Sequence, residues 1–288
     1  MLRRSVTFAS AVALTALSAL FIQSSGCSSD DGGAPSSDAG RDQGPIIPEP
    51  DASSWTPANL FPALWLESDI VSGSNGKVTQ WTDKSGKGNH ALQPDAARQP
   101  KTTDFNGRRA VSFGPKTILI IEDSASLQWG TDDFAFFTLV RYTGVDDAEH
   151  ADLYTKNGFP DPYPGVQMVV TALADTDAGR VSQFLMGTSN PSRIQTRKPG
   201  GYADGEPHLT SFRRLGSKLQ LRVDFQPAGE MTLAPINVSA VGVPAKIGAQ
   251  NESQWLLCDI ATLIGVHATV SDDDVIKVET YLKERYGL

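Results

Sequence analysis

Cysteine is nearly absent from this chain. Among 288 residues only Cys27 and Cys258 carry thiols, too few for a disulfide framework. Histidine is scarce too: His90, His150, His208 and His267 include no pair at H-x-H or H-x-x-x-H spacing, so no zinc site is signalled. Basic blocks are missing. Lys and Arg total 25 against 33 Asp and Glu, for a formal charge of −8 and a pI near 5.0. Phosphate attraction needs clustered cations, so nucleic acid is excluded as a partner. Neither a G-x-S-x-G elbow nor a P-loop is present. What is there is apolar material, 40% of the residues with 8% aromatic, enough for one sizeable core.

The N-terminus reads as an address. Arg3 and Arg4 form a positive segment, an uncharged Ala- and Leu-rich run follows over 6–22, and Ser24, Ser25 and Gly26 lead to Cys27. That is the layout of a secretory signal with a small-residue cleavage site. Ser24-Ser25-Gly26-Cys27 resembles the bacterial lipobox, with Ser24 standing where that motif carries an aliphatic residue. The resemblance implies residues 1–27 as a signal peptide ending at an acylated Cys27. The expected location is the bacterial outer membrane or cell surface, because Ser28 and Ser29 rather than Asp follow the cysteine. Several acyl chains together hold a protein firmly at a bilayer.

Residues 28–54 are Ser, Asp, Gly and Pro almost throughout. They cannot bury enough surface to offset their ordering entropy and read as a disordered tether with a reach of about 30 Å. Composition changes at Trp55, and 55–288 reads as one domain. Residues 218–225 alternate, with Leu219, Leu221, Val223 and Phe225 on one face and Lys218, Gln220, Arg222 and Asp224 on the other, as in a half-buried antiparallel strand. Residues 134–142 are apolar on both faces, which suits a strand inside a sheet covered on both sides. Shorter strands are expected over 78–81, 110–113, 166–171, 181–186, 209–213, 245–248 and 256–266, separated by Gly, Asn and Pro turns. Many short strands so punctuated predict an all-β antiparallel sandwich. One helix is expected at the end. Ser271 is its N-cap, Asp272, Asp273 and Asp274 face the positive end of its dipole, and Val275, Val278, Leu282 and Tyr286 form its buried stripe. Asp273 with Lys277 and Glu279 with Lys283 are i,i+4 pairs, and Gly287 ends it.

Three blocks carry a family resemblance: Ala63-Leu-Trp-Leu-Glu-Ser-Asp-Ile70, Trp81-Thr-Asp-Lys-Ser-Gly-Lys-Gly-Asn-His-Ala-Leu-Gln93 and Asn106-Gly-Arg-Arg-Ala-Val-Ser-Phe-Gly114. Together with the last 18 residues they resemble a bacterial laminin-G-like domain of the concanavalin A-like lectin/glucanase fold. The resemblance implies a jelly roll with one C-terminal α-helix. It names no ligand, because this fold hosts lectins, hydrolases, lyases and adhesion modules. It also implies a structural Ca²⁺ held by Asp259, with Glu67, Asp69 and Asp83 as further ligands, since hard oxygen donors suit that ion.

Catalysis is not signalled. A retaining glycosidase needs two carboxylates about 5–5.5 Å apart, and the E-x-D-x-x-E strand pattern of glucanases of this fold is missing. Glu122-Asp123 and Asp146-Asp147 are adjacent and would point oppositely in a strand, while Asp175 and Asp177 sit beside Gly179 in an expected turn. Sugar recognition wants an aromatic face beside polar groups. Phe159 and Tyr163 in the loop 158–165, and Arg193, Arg197 and Tyr202 in the loop 193–202, are the candidate ligand-binding residues. Trp65, Trp81, Trp129 and Trp255 read as core, His90 as structural, and Cys258 as a small buried hydrophobe. The expectation is a non-catalytic cell-surface module for glycan or protein. A polysaccharide-active enzyme and a purely structural envelope protein are the alternatives.

Overall fold

The residues apolar on both faces, Phe134 to Tyr142, do occupy the middle of a sheet. In the computed structural model they form β7 (Phe134–Gly144), flanked by β16 (Leu257–Val266) and β12 (Pro207–Leu215). Phe134, Phe136, Val140 and Tyr142 enter one core, and Ala135, Phe137 and Leu139 enter another on the opposite face. A strand with period 2 and both faces covered has no solvent side to mark with polar residues. The structure describes residues 55–144, 150–158, 164–171, 180–186, 191–195, 201–232, 234, 236–249 and 255–288. All of them fall in one compact unit, Glu49–Leu288. The expected signal segment (1–27) and tether (28–54) lie outside the described residues.

The remaining strands are β1 (Leu64–Ser72), β2 (Gln80–Asp83), β3 (Ala91–Leu92), β4 (Lys101–Phe105), β5 (Arg108–Phe113) and β6 (Leu119–Ile121), then β8 (His150–Asn157), β9 (Gly165–Thr171), β10 (Arg180–Met186), β11 (Pro191–Gln195), β13 (Lys218–Val223), β14 (Gln226–Thr232) and β15 (Ala245–Ile247). Every pairing is antiparallel, in the order β11-β10-β9-β8-β15-β6-β3-β2-β1-β16-β7-β12-β13-β14, with the hairpin β4–β5 joined to β16 beyond the point where β1 leaves it. The ribbon folds on itself. Phe136 of β7 and Tyr154 of β8, far apart along that order, bring their rings to 5.2 Å. Trp81, Ile121, Leu153, Met168, Leu219 and Leu263 fill the same core. Burying each such side chain is worth ~1.5–3 kcal/mol. This is the expected all-β sandwich.

The helix α1 (Asp272–Tyr286) lies against the outer face of β7, β12 and β16. Val275, Val278, Leu282 and Tyr286 are buried with Phe137, Leu139, Leu209 and Ile264. A bulge between Ile260 and Thr262 shifts the phase of β16, so Cys258, Ile260 and Leu263 face the inner core while Ala261, Ile264 and Val266 face the helix. The Ser271 hydroxyl accepts from the Asp274 amide, and Gly287 turns left-handed at φ 64°, as a cap requires. The far end is closed by the β4–β5 hairpin: Asn106 Nδ2 donates to the Tyr286 carbonyl at 3.2 Å and Arg108 Nε to that of Arg285.

Three local expectations need correction. The alternating strand stops at Val223, because Asp224 and Phe225 take left-handed φ of 50° and 68° to turn the chain into β14. Lys277 pairs with Asp274 at 3.3 Å rather than with Asp273. Glu279 is buried and gives both oxygens to Arg222 of β13, at 2.8 and 2.9 Å, rather than facing Lys283. A tertiary guanidinium outcompetes a neighbour four residues on because its forked donors match a carboxylate.

Candidate functional site

The second sequence block is a folding device. Asp83 Oδ1 accepts the amides of Trp65 (2.9 Å) and Ser85 (3.0 Å), and Oδ2 accepts the Ser85 hydroxyl (2.6 Å) and the Asn89 amide (2.9 Å). His90 Nδ1 accepts the Asp83 amide at 3.0 Å. Asn89 then bridges outward, giving Nδ2 to the Ala63 carbonyl and to Ser126 Oγ, and taking Ser124 Oγ on Oδ1 at 2.7 Å. The pattern thus ties the entry to β1, the loop 84–90 and the segment 122–128 together.

These segments lie at one end of the sandwich, where β1, β7, β9 and β15 begin and β2, β6, β8 and β12 end. Two buried cations fasten the rest of that end. Lys156 Nζ donates to the Ala240 and Val243 carbonyls at 3.1 and 2.6 Å and pairs with Asp123. Arg214, above the Phe134 ring, donates to the Ile236 and Gly130 carbonyls at 3.1 and 3.3 Å. Burial lowers the pKa of both cations, with Asp123 opposing that for Lys156. Burial would raise Asp123, but the Lys156 and Gly242 hydrogen bonds hold it below its ordinary value. Gly158 donates its amide to the Pro164 carbonyl at 2.8 Å.

Of the candidate ligand-binding residues, the structure describes Arg193 and Tyr202. Phe159, Tyr163 and Arg197 lie outside the described residues. Arg193 is in strand β11 rather than a loop, paired with Phe184 of β10, and its side chain lies outside the description. Tyr202 is at the opposite end and only 5% exposed, packed edge-on against His208 at 4.9 Å, so its ring presents no face to a ligand.

The four acids expected to hold calcium do not fit that ion. Asp259 Oδ2 takes Arg141 Nε and Nη2 at 3.1 and 2.8 Å. Glu67, fully buried, is held by Lys84, Arg285 and the Tyr281 hydroxyl, and Asp69 pairs with Arg285 at 2.7 Å. Asp83 has all its acceptor directions filled by amide and hydroxyl donors. Each carboxylate already has its own partners. Among the described residues no three His, Cys, Asp or Glu side chains converge as metal ligands.

Sequence reasoning passed over Asp152. It sits on β8, fully buried, with Oδ1 accepting Gln167 Nε2 and no hydrogen-bond partner for Oδ2 among the described residues. Burial pushes its pKa up to about 7, against the Gln167 hydrogen bond and the Lys246 charge. Asp152 stands in the segment His-Ala-Asp-Leu-Tyr, and a bulge between Asp152 and Tyr154 sets its orientation. No local motif announces that. The buried acids Glu67, Asp83, Asp152, Asp259 and Glu279 each bond to bases, amides or hydroxyls, and no two of them bond to each other.

A groove of about 600 Å³ runs between α1 and β12–β14. Phe137, Val275 and Ile276 form its apolar side. Arg213 and Glu230 on its lips are engaged with Asp272 and with Lys218 and Gln220. It offers contact area and no free charge.

No family model and no curated protein matches the sequence. Solved structures match the fold. The binding domain of Paraclostridial Mosquitocidal Protein 1 superposes with a TM-score of 0.59 at 10% identity, over 78% of this chain and 53% of that one. The botulinum neurotoxin serotype G binding domain gives 0.57 at 9%, over 77% and 51%. The serotype D ligand binding domain, solved in complex with N-acetylneuraminic acid, gives 0.57 at 10%, over 78% and 52%. These are toxin binding domains. The chain spans about half the length of each, and at such identity the likeness is one of fold.

Proposed function

We propose that this chain is a cell-surface lipoprotein whose folded part is a non-catalytic glycan-binding module. The observation that carries the reading is the loop end of the sandwich, where Asp83, Asn89, Lys156 and Arg214 spend their hydrogen bonds on holding backbone in place. A surface so fastened loses little entropy when a ligand settles on it. The acids support binding over hydrolysis, since glycoside cleavage needs two carboxyl groups about 5–9.5 Å apart, free to exchange a proton and to meet the sugar, and of the buried ones Glu67, Asp83, Asp259 and Glu279 are engaged by cations, amides or hydroxyls. The toxin domains that share the fold support it too, one of them having been solved with a sialic acid.

The test is a printed glycan array probed with the purified chain, followed by incubation of each positive glycan with the protein and chromatography of the products. Binding without product is expected. Cleaved or unsaturated sugars would move the protein to the enzyme reading, and a blank array would leave the module without its ligand class and sink the proposal.

A further inference from the structure

Phe61 is 85% exposed, the most exposed of the large apolar side chains described. Its backbone is left-handed, at φ 49° and ψ 57°. A β-carbon disfavours that conformation, and the following Pro62 independently pushes its predecessor toward extended backbone. Two unfavourable terms therefore fall on one residue, and no packing offsets them. Phe225 makes the contrast: also left-handed at φ 68°, it lies partly buried on the helix-side core with Lys283 over its ring at 5.3 Å.

The flanks impose the conformation on Phe61. Its amide closes the turn Pro57–Leu60 by donating to Ala58 O at 3.0 Å, the Ala63 amide donates to Gly265 O at 2.8 Å, and Ala63 O receives Asn89 Nδ2 at 2.6 Å. The backbone is clamped on both sides, and the ring projects from the loop end with the exposed Asn59 two residues before it. Strain held in place by its surroundings marks functional positions.

We infer that Phe61 is a stacking platform for the apolar face of a sugar ring. The C–H edges of a pyranose carry slight positive charge, which an aromatic face attracts, and a ring on a clamped turn needs no ordering before contact. A single ring is far smaller than the ~800 Å² per partner of a stable protein interface. A lone phenylalanine is also a marginal membrane anchor beside the several apolar groups an interfacial segment uses. Val241, 79% exposed on the neighbouring segment 236–244, is the one other large apolar side chain described as strongly exposed at this end, and it makes the vesicle control below necessary. The inference rests on the glycan-binding reading.

The full chain and its F61A, F61G and F61W variants are titrated calorimetrically with cellohexaose, xylohexaose and sialyllactose, and sedimented with phosphatidylethanolamine–phosphatidylglycerol vesicles. F61A and F61G should weaken binding of the recognised sugar at least about tenfold, while F61W stays within about threefold. F61G should melt no lower than wild type, because glycine tolerates the left-handed turn. Loss of affinity with a retained melting temperature separates a contact from a folding defect. F61G binding sugar as tightly as wild type overturns the inference and leaves the glycan reading standing. A wild-type chain that binds none of the three sugars removes both. A defect confined to vesicles, with sugar binding intact, reassigns Phe61 to a lipid contact and overturns it as well.

Discussion

A carboxyl group sealed from water keeps its proton to a higher pH. Asp152 is fully buried, with one oxygen unpartnered among the described residues and a pKa pushed up to about 7 by that burial. Its unfolded value is near 3.9. Between those two pH values the folded chain holds a proton that the unfolded chain has lost, so stability falls as pH rises through that window and levels off above about 7. The full loss is of the order of 4 kcal/mol. An Asp152→Asn chain has no such proton to lose. Thermal melts from pH 4 to 8 should show the wild type declining relative to the variant until about pH 7, and parallel curves would refute the assignment. At this scale the sequence reveals charges but not what surrounds them. Asp83 and Asp152 are the same residue type, yet one is saturated by four donors set close along the chain and near the start of β1, while the other is isolated by strands whose pairing no local pattern encodes. Three of the acids matched to a calcium site, Glu67, Asp69 and Asp259, show the same limit: Arg141 and Arg285, which claim them, lie up to 218 residues away in sequence, as between Glu67 and Arg285.

Among the elements, α1 and β7 were legible because their signals are local. A capping serine, three acids in the first turn and a stripe at 3- and 4-residue spacing define a helix wherever it packs. Two-sided apolarity defines a central strand. The Asp224–Phe225 turn hid inside a perfect alternation, since nothing in the side chains shows that the backbone has changed hand. β11 is hidden in the sequence because Pro191-Ser-Arg-Ile-Gln195 has little apolar content and its strand character comes from pairing with β10. The loop end depends on Lys156, whose position is a consequence of β8 ending beside the segment 236–244. Replacing Lys156 by Met leaves Asp123 without its cation and the Val243 carbonyl without its donor, at a cost of about 3 kcal/mol. For a domain of this size that lowers the melting temperature by roughly 6–12 °C. Hydrogen exchange should quicken in 122–128 and 236–244 before it does in β7, and a uniform change across the molecule would show that Lys156 supports the core rather than the loops.

The sandwich as a whole was predictable from many short, punctuated strands, but the order of its strands was not. Placement of β16 beside β1, β5 and β7 depends on the entire ribbon closing, which no window of sequence contains. The proposed attachment of this domain to a membrane belongs to the same scale and rests on Cys27. Cys27→Ala should move the protein from the membrane fraction to the soluble one after cell lysis, read by immunoblot, with the melting temperature of the folded part unchanged. Undiminished membrane association of that variant would remove the lipid anchor from the proposal.

β1 opens the domain yet finds one of its neighbours near the other end, the Thr262 hydroxyl reaching the Leu66 carbonyl across 196 residues. Synthesis from the N-terminal side therefore sets free a strand with one edge bare, and it stays bare until its partner 196 residues on has emerged. Closure must wait for β16, and until then whatever escorts the nascent chain handles an unclosed ribbon rather than a folded body.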